Sequence, residues 1–545
     1  MKDIILTTIN AKWIHPSLAL RLLKANLGTM EERCEIIEFA LRQPLREKLD
    51  SLLAALPSDG RTRILGISVS IWNHTATIEL LKELSKFWST VHGIHGTRIN
   101  TDLTEPQPSL SQTGEGSPLD LHGLGRGKDF ICKPIVVLGG PEVSYLPSDA
   151  EIFRYADYVI QGEGETAFRL LCEELLLIEN NALRALRTHP EEIIPDKPIN
   201  LNNLKTAYHL YTDEDLAKKL IYVESSRGCP FKCDFCLSAI DNKVREFPLD
   251  QFLKEIDTLI TRGVRIFKFL DRSININPER TIKICEFFQK KIRENQEGNL
   301  RLSATGSVEV PLNPCKSVVS GKMPKEHPPF VVHFEMVPSL FPPELCEALA
   351  RFPSGTLRLE IGIQTLNPEV SARINRPSNP EKELEALRYL REKTNAIIHA
   401  DLIAGLPGED LESFGNGFDR LWSVLYMDEL NMAKTTACEI QLGILKLLPG
   451  APIARYNKTF SMHYNSLPPY EIEETSSISA KELFRIKNFA RFWEIIINRG
   501  LIKVSCKGPV FKKFMAFSDE LLAYFGRNWG INKSDLTKKI SNACF

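Results

Sequence analysis

Ser225-Ser226-Arg227-Gly228-Cys229-Pro230-Phe231-Lys232-Cys233-Asp234-Phe235-Cys236 sets three cysteines at C-x-x-x-C-x-x-C spacing directly after a short apolar run, Ile221-Tyr222-Val223. Three thiolates on one short loop can hold three irons of a 4Fe-4S cluster and leave the fourth iron without a protein ligand, open for reaction. A structural zinc asks for four ligands, and the next cysteine, Cys285, lies far along a helical pattern. A zinc knuckle or three unrelated core thiols remain the alternatives. Of the twelve cysteines only these three cluster, which in a cytosolic protein points to metal or catalysis rather than to a disulfide scaffold.

Downstream of the loop, apolar runs recur between helical patterns: Ile266 to Leu270, Val331 to Phe334, Arg358 to Ile361, Ile397 to Ala400 and Glu439 to Gly443, with helical segments at Leu249 to Arg262 and Glu381 to Thr394. With Ile221 to Val223 they make six strand-like units, as in a (β/α)6-type partial or full barrel whose chemistry sits on the loops after the strands. We assign this barrel to 219–450, interrupted by a proline-rich insertion at 311–329, and expect a mostly helical C-terminal domain at 451–545.

Upstream, strand-like runs at Ile4 to Leu6, Glu35 to Ile37, Ile64 to Val69, Ile135 to Leu138 and Tyr158 to Ile160 alternate with helical patterns at Ser17 to Leu27, Thr75 to Trp88 and Glu163 to Leu177. That rhythm predicts an α/β domain over 1–178, doubly wound and flavodoxin-like, with ligands at the carboxyl ends of its parallel strands. Residues 92–133 break it with a polar insertion rich in Gly, Pro, Ser and Thr, and 179–218 reads as a polar linker to the barrel.

Composition sets the outer bounds. Over 545 residues, 68 basic and 69 acidic side chains leave a net charge of -1, which argues against a general binder of nucleic acid or acidic membranes. The basic stretches Lys503 to Lys513 and Lys533 to Lys539 read as solvated surface. No run is long enough for a membrane helix or a signal peptide, and we expect a cytoplasmic protein with no membrane partner.

The cysteine loop, with Phe235 before its last cysteine, resembles that of the radical S-adenosylmethionine superfamily. The resemblance implies a 4Fe-4S cluster on Cys229, Cys233 and Cys236, whose open iron chelates the amino and carboxylate groups of S-adenosylmethionine. One electron from the reduced cluster then cleaves it to methionine and a deoxyadenosyl radical, and implies an electron donor such as flavodoxin or ferredoxin. Later motifs match in order: Glu335 in His333 to Pro338 resembles the acid that receives the methionyl amino group. Gln364 and Arg376, in Glu360 to Thr365 and Ile374 to Pro377, resemble the contacts to the ribose and the methionyl carboxylate. Asp401, opening Asp401 to Gly408, resembles the residue near the ribose.

The first domain is similar to the cobalamin-binding domain of the cobalamin-dependent branch. The resemblance assigns the loops facing the corrin to Asn10 to Ser17, Ser70 to His74, Gly139-Gly140-Pro141-Glu142-Val143-Ser144 and Gly162-Glu163-Gly164-Glu165-Thr166. Asp120 to Gly125 matches the D-x-H-x-x-G motif that gives a histidine to cobalt elsewhere, but His122 falls in the insertion rather than after the first strand. With His15 and His74 read as polar loop residues, we expect no protein histidine below cobalt. As a whole the chain resembles an uncharacterised cobalamin-binding radical S-adenosylmethionine family with its own C-terminal domain. The expectation is a methyltransferase acting on an unactivated carbon of a small-molecule or peptide substrate. A non-methylating radical cyclase, oxidase or rearrangement enzyme, and a non-catalytic cobalamin or iron-sulfur sensor, are the alternatives.

Overall fold

The computed structural model describes residues 2–56, 63–94, 133–177, 192–195, 198–241, 243–303, 330–376, 378–426, 438–501 and 508–540. Most of the 92–133 insertion, with His122, and all of the 311–329 insertion lie outside the described residues. No described helix is long and apolar enough to cross a membrane. The chain divides into two compact units, one of Met1–Ala11 and Asn26–Lys197, the other of Lys12–Ala25 and Pro198–Phe545.

The first unit is a parallel sheet in which β1 (Ile4–Asn10), β2 (Cys34–Ala40), β3 (Ile64–Ser68), β4 (Ile135–Gly139), β5 (Tyr158–Gln161) and β6 (Glu192–Pro195) run in the order β2-β1-β3-β4-β5-β6. This is the flavodoxin-like order, with its crevice at the carboxyl ends of β1 and β3. Ile4, Ile5, Ile64, Leu65, Val136 and Leu138 are fully or nearly fully buried, the near-continuous apolar reading of strands covered on both faces.

In the second unit, β7 (Ile221–Val223), β10 (Ile266–Phe269), β11 (Val331–Met336), β12 (Leu357–Gln364), β13 (Ile397–Ala404) and β14 (Cys438–Ile444) are joined in sequence order, all parallel. Two residues each in β8 (Ser226–Arg227) and β9 (Arg245–Glu246) form an antiparallel ladder that flanks the cysteine loop. Strand β12 shows how the layers arise. Leu357, Leu359, Ile361 and Ile363 are buried toward the helices, while Arg358, Glu360, Gly362 and Gln364 alternate with them on the inner face.

Three boundaries differ from the sequence reading. The helix Leu18–Ala25 does not complete a β-α-β unit of the first sheet: Leu18, Leu22 and Ala25 are buried in the core of the second unit, and Arg21 pairs with Asp215 at 2.7 Å, both side chains buried. Residues 179–218 are no simple linker. Part of the stretch forms β6 of the first sheet, while Leu201, Leu204, Tyr208, Tyr211 and Leu216 enter the second core. Nor does 451–545 bury a core of its own. Phe489, Trp493, Phe511 and Phe514 form one aromatic cluster with Phe418 and Trp422 of the helix Leu411–Leu425, uniting the C-terminal helices and the small hairpin of β15 (His463–Tyr464) and β16 (Ile472–Glu474) with the barrel.

Candidate active site

The cysteine loop leaves β7 and is fixed from several sides. At its entrance Gly228 has φ +86°, and a Cβ there would run into the Lys243 carbonyl, so only glycine fits this turn. The Cys229 amide donates to the Asp241 carbonyl at 3.3 Å and the Cys236 amide to the Cys233 carbonyl at 3.0 Å. Ahead of the cysteines, buried Asp271 at the end of β10 accepts from the Ser225 amide at 2.9 Å and from the Ser225 and Ser226 hydroxyls at 2.6 Å each. Burial pushes the Asp271 carboxyl up, against these hydrogen bonds.

Within the loop, Asp234 is the anchor. Its side chain is almost fully buried and accepts from Asn375 Nδ2 at 3.1 Å, from the Tyr456 hydroxyl at 3.0 Å and from the Arg455 guanidinium. Its backbone amide donates to the Ile374 carbonyl and its carbonyl accepts from the Ile453 amide.

Cys229, Cys233 and Cys236 carry free thiols. Burial pushes the first two up, and the neighbouring cysteines raise them further, while Arg272 opposes this at Cys229 and Arg376 at Cys233. Thiols that hinder one another's ionisation suit a loop that receives a cationic group, and three of them on one loop are the donor set of a cluster with one open iron. Among the described residues no three His, Cys, Asp or Glu side chains are gathered around a point that would seat a single metal ion.

Arg376 Nη1 stands 3.8 Å from the Cys233 sulfur, and its other nitrogen bonds the Gly362 carbonyl. Gln364 follows a bulge in the β12–β13 pairing and takes φ +70°, a conformation that bulky side chains avoid and that here turns its amide back over Gly362. Gly362, Gln364 and Arg376 therefore converge beside Cys233. Glu335 lies opposite Glu360 in register, and Asp401 opposite Gly362. Burial, reinforced by the nearby Glu360 carboxylate, raises Glu335 to about 7 and Asp401 to about 8, and Asp401 Oδ1 is buried without a hydrogen-bond partner. A buried acid with a free oxygen is suited to receive a ligand's hydroxyl or ammonium group.

Sequence reasoning missed a set of residues below this level. His333 Nε2 is 3.1 Å from Glu360 Oε2, Lys268 Nζ is 3.6 Å from the same oxygen, and His399 Nδ1 is 3.1 Å from Glu439 Oε2. The His333 ring close against it, with Lys268 beside it, holds Glu360 down at about 2, while burial keeps His333 neutral by lowering it to about 4. The strict two-residue alternation of Arg358 to Gln364 was the available signal: in a barrel strand it marks a polar inner face.

In the first unit the glycine loops are cross-tied. Val69 donates to the Gly139 carbonyl at 2.8 Å, the Ser144 hydroxyl to the Gly140 carbonyl at 2.9 Å, and the Gly162 amide to Ser144 Oγ at 3.2 Å. Gly140, at φ +103°, has no room for a Cβ against the Val69 backbone, and Gly162 and Gly164 are likewise left-handed. The Ser70 amide donates to Asn73, whose side chain reaches Thr8 and Ile9 of β1. Glu142 is buried and 2.9 Å from His74 Nδ1, so that ring nitrogen is engaged. Glu163 precedes the helix Glu165–Leu177, which Glu165 opens. The structure thus gathers Ser70, Gly139, Gly140, Glu142, Ser144 and Gly162 at strand carboxyl ends. It divides the loop from Asn10 to Ser17, since Lys12–Ala25 belongs to the second unit, where His15 Nδ1 meets the Tyr222 hydroxyl at 2.7 Å.

Residues 223–421 match the radical SAM superfamily model. Ribosomal protein uS12 methylthiotransferase RimO of Wolinella succinogenes is 22% identical over 329 residues, 56% of this chain and 68% of the relative. The uncharacterized methyltransferase PH0819 of Pyrococcus horikoshii is 26% identical over 300 residues, 51% of this chain and 55% of the relative, so the chain spans about half the length of that protein. Among solved structures, the cobalamin-dependent S-adenosylmethionine radical enzyme OxsB with aqua-cobalamin bound is similar in fold, with a TM-score of 0.56 at 14% identity over 99% of this chain and 75% of that one. The radical S-adenosylmethionine methyltransferase TsrM from Kitasatospora setae follows with a TM-score of 0.50 at 14% identity, over 85% of this chain and 78% of its own. The matched span opens at the end of β7, takes in the cysteine loop and β10 to β13, and makes this barrel a radical S-adenosylmethionine domain.

Proposed function

We propose that the enzyme is a cobalamin-dependent methyltransferase that methylates an unactivated carbon. The observation that carries this reading is the convergence of Arg376, Gln364 and Gly362 beside Cys233, with the raised acids Glu335 and Asp401 on the neighbouring strands. Cys229, Cys233 and Cys236 would hold the cluster. Arg376 would receive the methionyl carboxylate of S-adenosylmethionine, Glu335 its amino group, and Gln364 and Asp401 its ribose. The glycine turns at Gly139-Gly140 and Gly162 to Gly164 let backbone approach a flat ligand, and would hold cobalamin. Bound there, the cluster supplies the electron that cleaves S-adenosylmethionine and cobalamin supplies the methyl group. The chain's own residues bind, orient and exclude water. The names of the uncharacterized methyltransferase and of TsrM support methyl transfer, and cobalamin in the OxsB structure supports the second cofactor.

The test is anaerobic reconstitution of protein made with cobalamin available, followed by reduction with flavodoxin or dithionite. Retained cobalamin and release of deoxyadenosine are expected. With substrate, deoxyadenosine and S-adenosylhomocysteine should form together and label from the S-adenosylmethionine methyl should enter the product. Deoxyadenosine without either of the other two would replace methyl transfer by cyclisation, oxidation or rearrangement. No cleavage at all, with cofactors bound, would favour a sensor.

A further inference from the structure

The inner face of β10 to β14 carries more polar chemistry than S-adenosylmethionine needs. His333 and His399 lie side by side, ring centroids 6.0 Å apart and planes at 27°, each against a carboxylate that has its own cation. Glu360 has Lys268 at 3.6 Å and Glu439 has Arg358 at 3.7 Å. Ile398 and Ala400 are fully buried on the outer side of β13, so His399 and Asp401 between and beyond them face inward.

The two histidines are not equivalent. Both Nε2 atoms are buried without a hydrogen-bond partner, but His333 directs its Nε2 at the Glu360 carboxylate 3.1 Å away, whereas His399 turns Nδ1 toward Glu439 and points Nε2 elsewhere. Its side chain is only 7% exposed, a setting in which polar atoms are ordinarily paired. Nδ1, in contrast, has two possible partners of opposite kind: the Glu439 carboxylate at 3.1 Å, which accepts, and the Gln441 amide nitrogen at 2.8 Å, which donates. With the proton on Nδ1 the carboxylate is satisfied; with the proton on Nε2 the amide is. Either tautomer keeps a bond at Nδ1, so the ring can carry its proton on either nitrogen without losing that partner. A histidine held only for structure has no use for that freedom.

The geometry points to His399 Nε2 as the proton-transfer group of the barrel's reaction chamber, facing a substrate that presents an exchangeable N–H or O–H. The inference rests on the barrel being a radical S-adenosylmethionine chamber. In the step, the substrate proton moves to Nε2, the bonding pair stays on the substrate nitrogen or oxygen, and the imidazolium so formed is balanced by Glu439. The reverse transfer returns the proton. Arg358, Glu360, Lys268, His333, Glu335 and Asp401 are the other charged or titratable groups on the inner face from β10 to β13. A polar molecule or side chain with an amide, hydroxyl or heteroaromatic N–H fits such a wall; a hydrocarbon chain does not.

Two measurements on the cluster-loaded full chain test this. In long-range nitrogen NMR spectra of histidine-labelled protein, assigned with His399→Gln, the His399 nitrogens should show averaged shifts of two tautomers. Glu439→Gln should move the average toward Nε2–H and Gln441→Met toward Nδ1–H. One fixed tautomer between about pH 6 and about pH 9 in the unmutated protein overturns the proposal even if neither variant folds. Diethyl pyrocarbonate, which acylates an uncommitted imidazole nitrogen, should modify His399 in peptide mapping, and no modification would show Nε2 closed to any substrate. Cleavage of S-adenosylmethionine by the unmutated enzyme is a separate readout: its loss would overturn the radical reading whatever the state of His399.

Discussion

Asp234 and Asn375 are 141 residues apart in the chain and 3.1 Å apart in the fold. The acid directly follows Cys233; the amide directly precedes Arg376 and sits at φ +51°. One hydrogen bond therefore ties the loop that would carry the cluster to the turn that would carry the carboxylate clamp, and Tyr456 joins them from the C-terminal region. Asp234→Ala should leave Asn375 and Tyr456 without their acceptor, at a cost of about 2 to 4 kcal/mol, since Arg455 is half exposed and adds little. We expect lower iron content after reconstitution and a lower melting temperature, with Asp234→Asn in between. Full iron loading in the alanine variant would show that the loop holds its shape without this anchor.

Replacing Cys229, Cys233 or Cys236 by Ala should abolish reductive cleavage of S-adenosylmethionine, because each removes one of three iron ligands. Cys34, Cys172, Cys285, Cys346 and Cys438 are buried elsewhere. Burial pushes Cys285 up to about 12 and raises Cys172 further, the mark of inert core thiols. Serine at any of these five should leave cleavage intact, as measured by deoxyadenosine release.

Gly228→Ala tests the turn itself. The substitution forces a left-handed residue to carry a Cβ, at roughly 1 to 2 kcal/mol, and drives that carbon into the Lys243 carbonyl. The β8–β9 ladder would have to open to make room. We expect the barrel to fold with its cysteine loop displaced, read as retained helical circular dichroism with loss of the brown colour. Normal colour would show that the ladder yields.

Much of this was legible before any coordinates. The cysteine spacing, the strand runs and the motifs after them are local signals, and local signals survive reading one residue at a time. What escaped was non-local. The amphipathic pattern of Leu18 to Ala25 shows that one face is buried but not in which core, and only Arg21 meeting Asp215 decides it. The polar stretch 179–218 hides its buried tyrosines among charges, and Phe489 and Trp493 give no hint in sequence that Phe418 and Trp422 await them. The inner-face histidines lie within the strand runs, and the two-residue alternation that puts polar side chains on one face is visible in β12.

Glu335 and Asp401 give the stability of the free protein a pH dependence. Both are raised in the folded state, to about 7 and about 8, first by burial and then by Glu360, whereas the unfolded chain ionises them in the ordinary carboxylate range. The unfolded state therefore binds fewer protons than the folded one between about pH 4 and about pH 8, and stability falls as pH rises across that window, by up to about 1.4 kcal/mol per unit for each group. Glu335 and Asp401 influence each other, so the slope belongs to the pair rather than to one member. Asp401→Asn removes a titrating member while keeping the shape, and its melting temperature should fall less steeply with pH, so that the variant gains on the unmutated protein toward pH 8. Glu360→Gln should flatten the curve by a different route: it takes away the negative charge that helps to raise the other two, but leaves Lys268 and His333 without their acceptor. That variant should therefore be less stable at acidic pH than Asp401→Asn. Parallel pH curves for all three proteins would show that these acids are already ionised in the free fold.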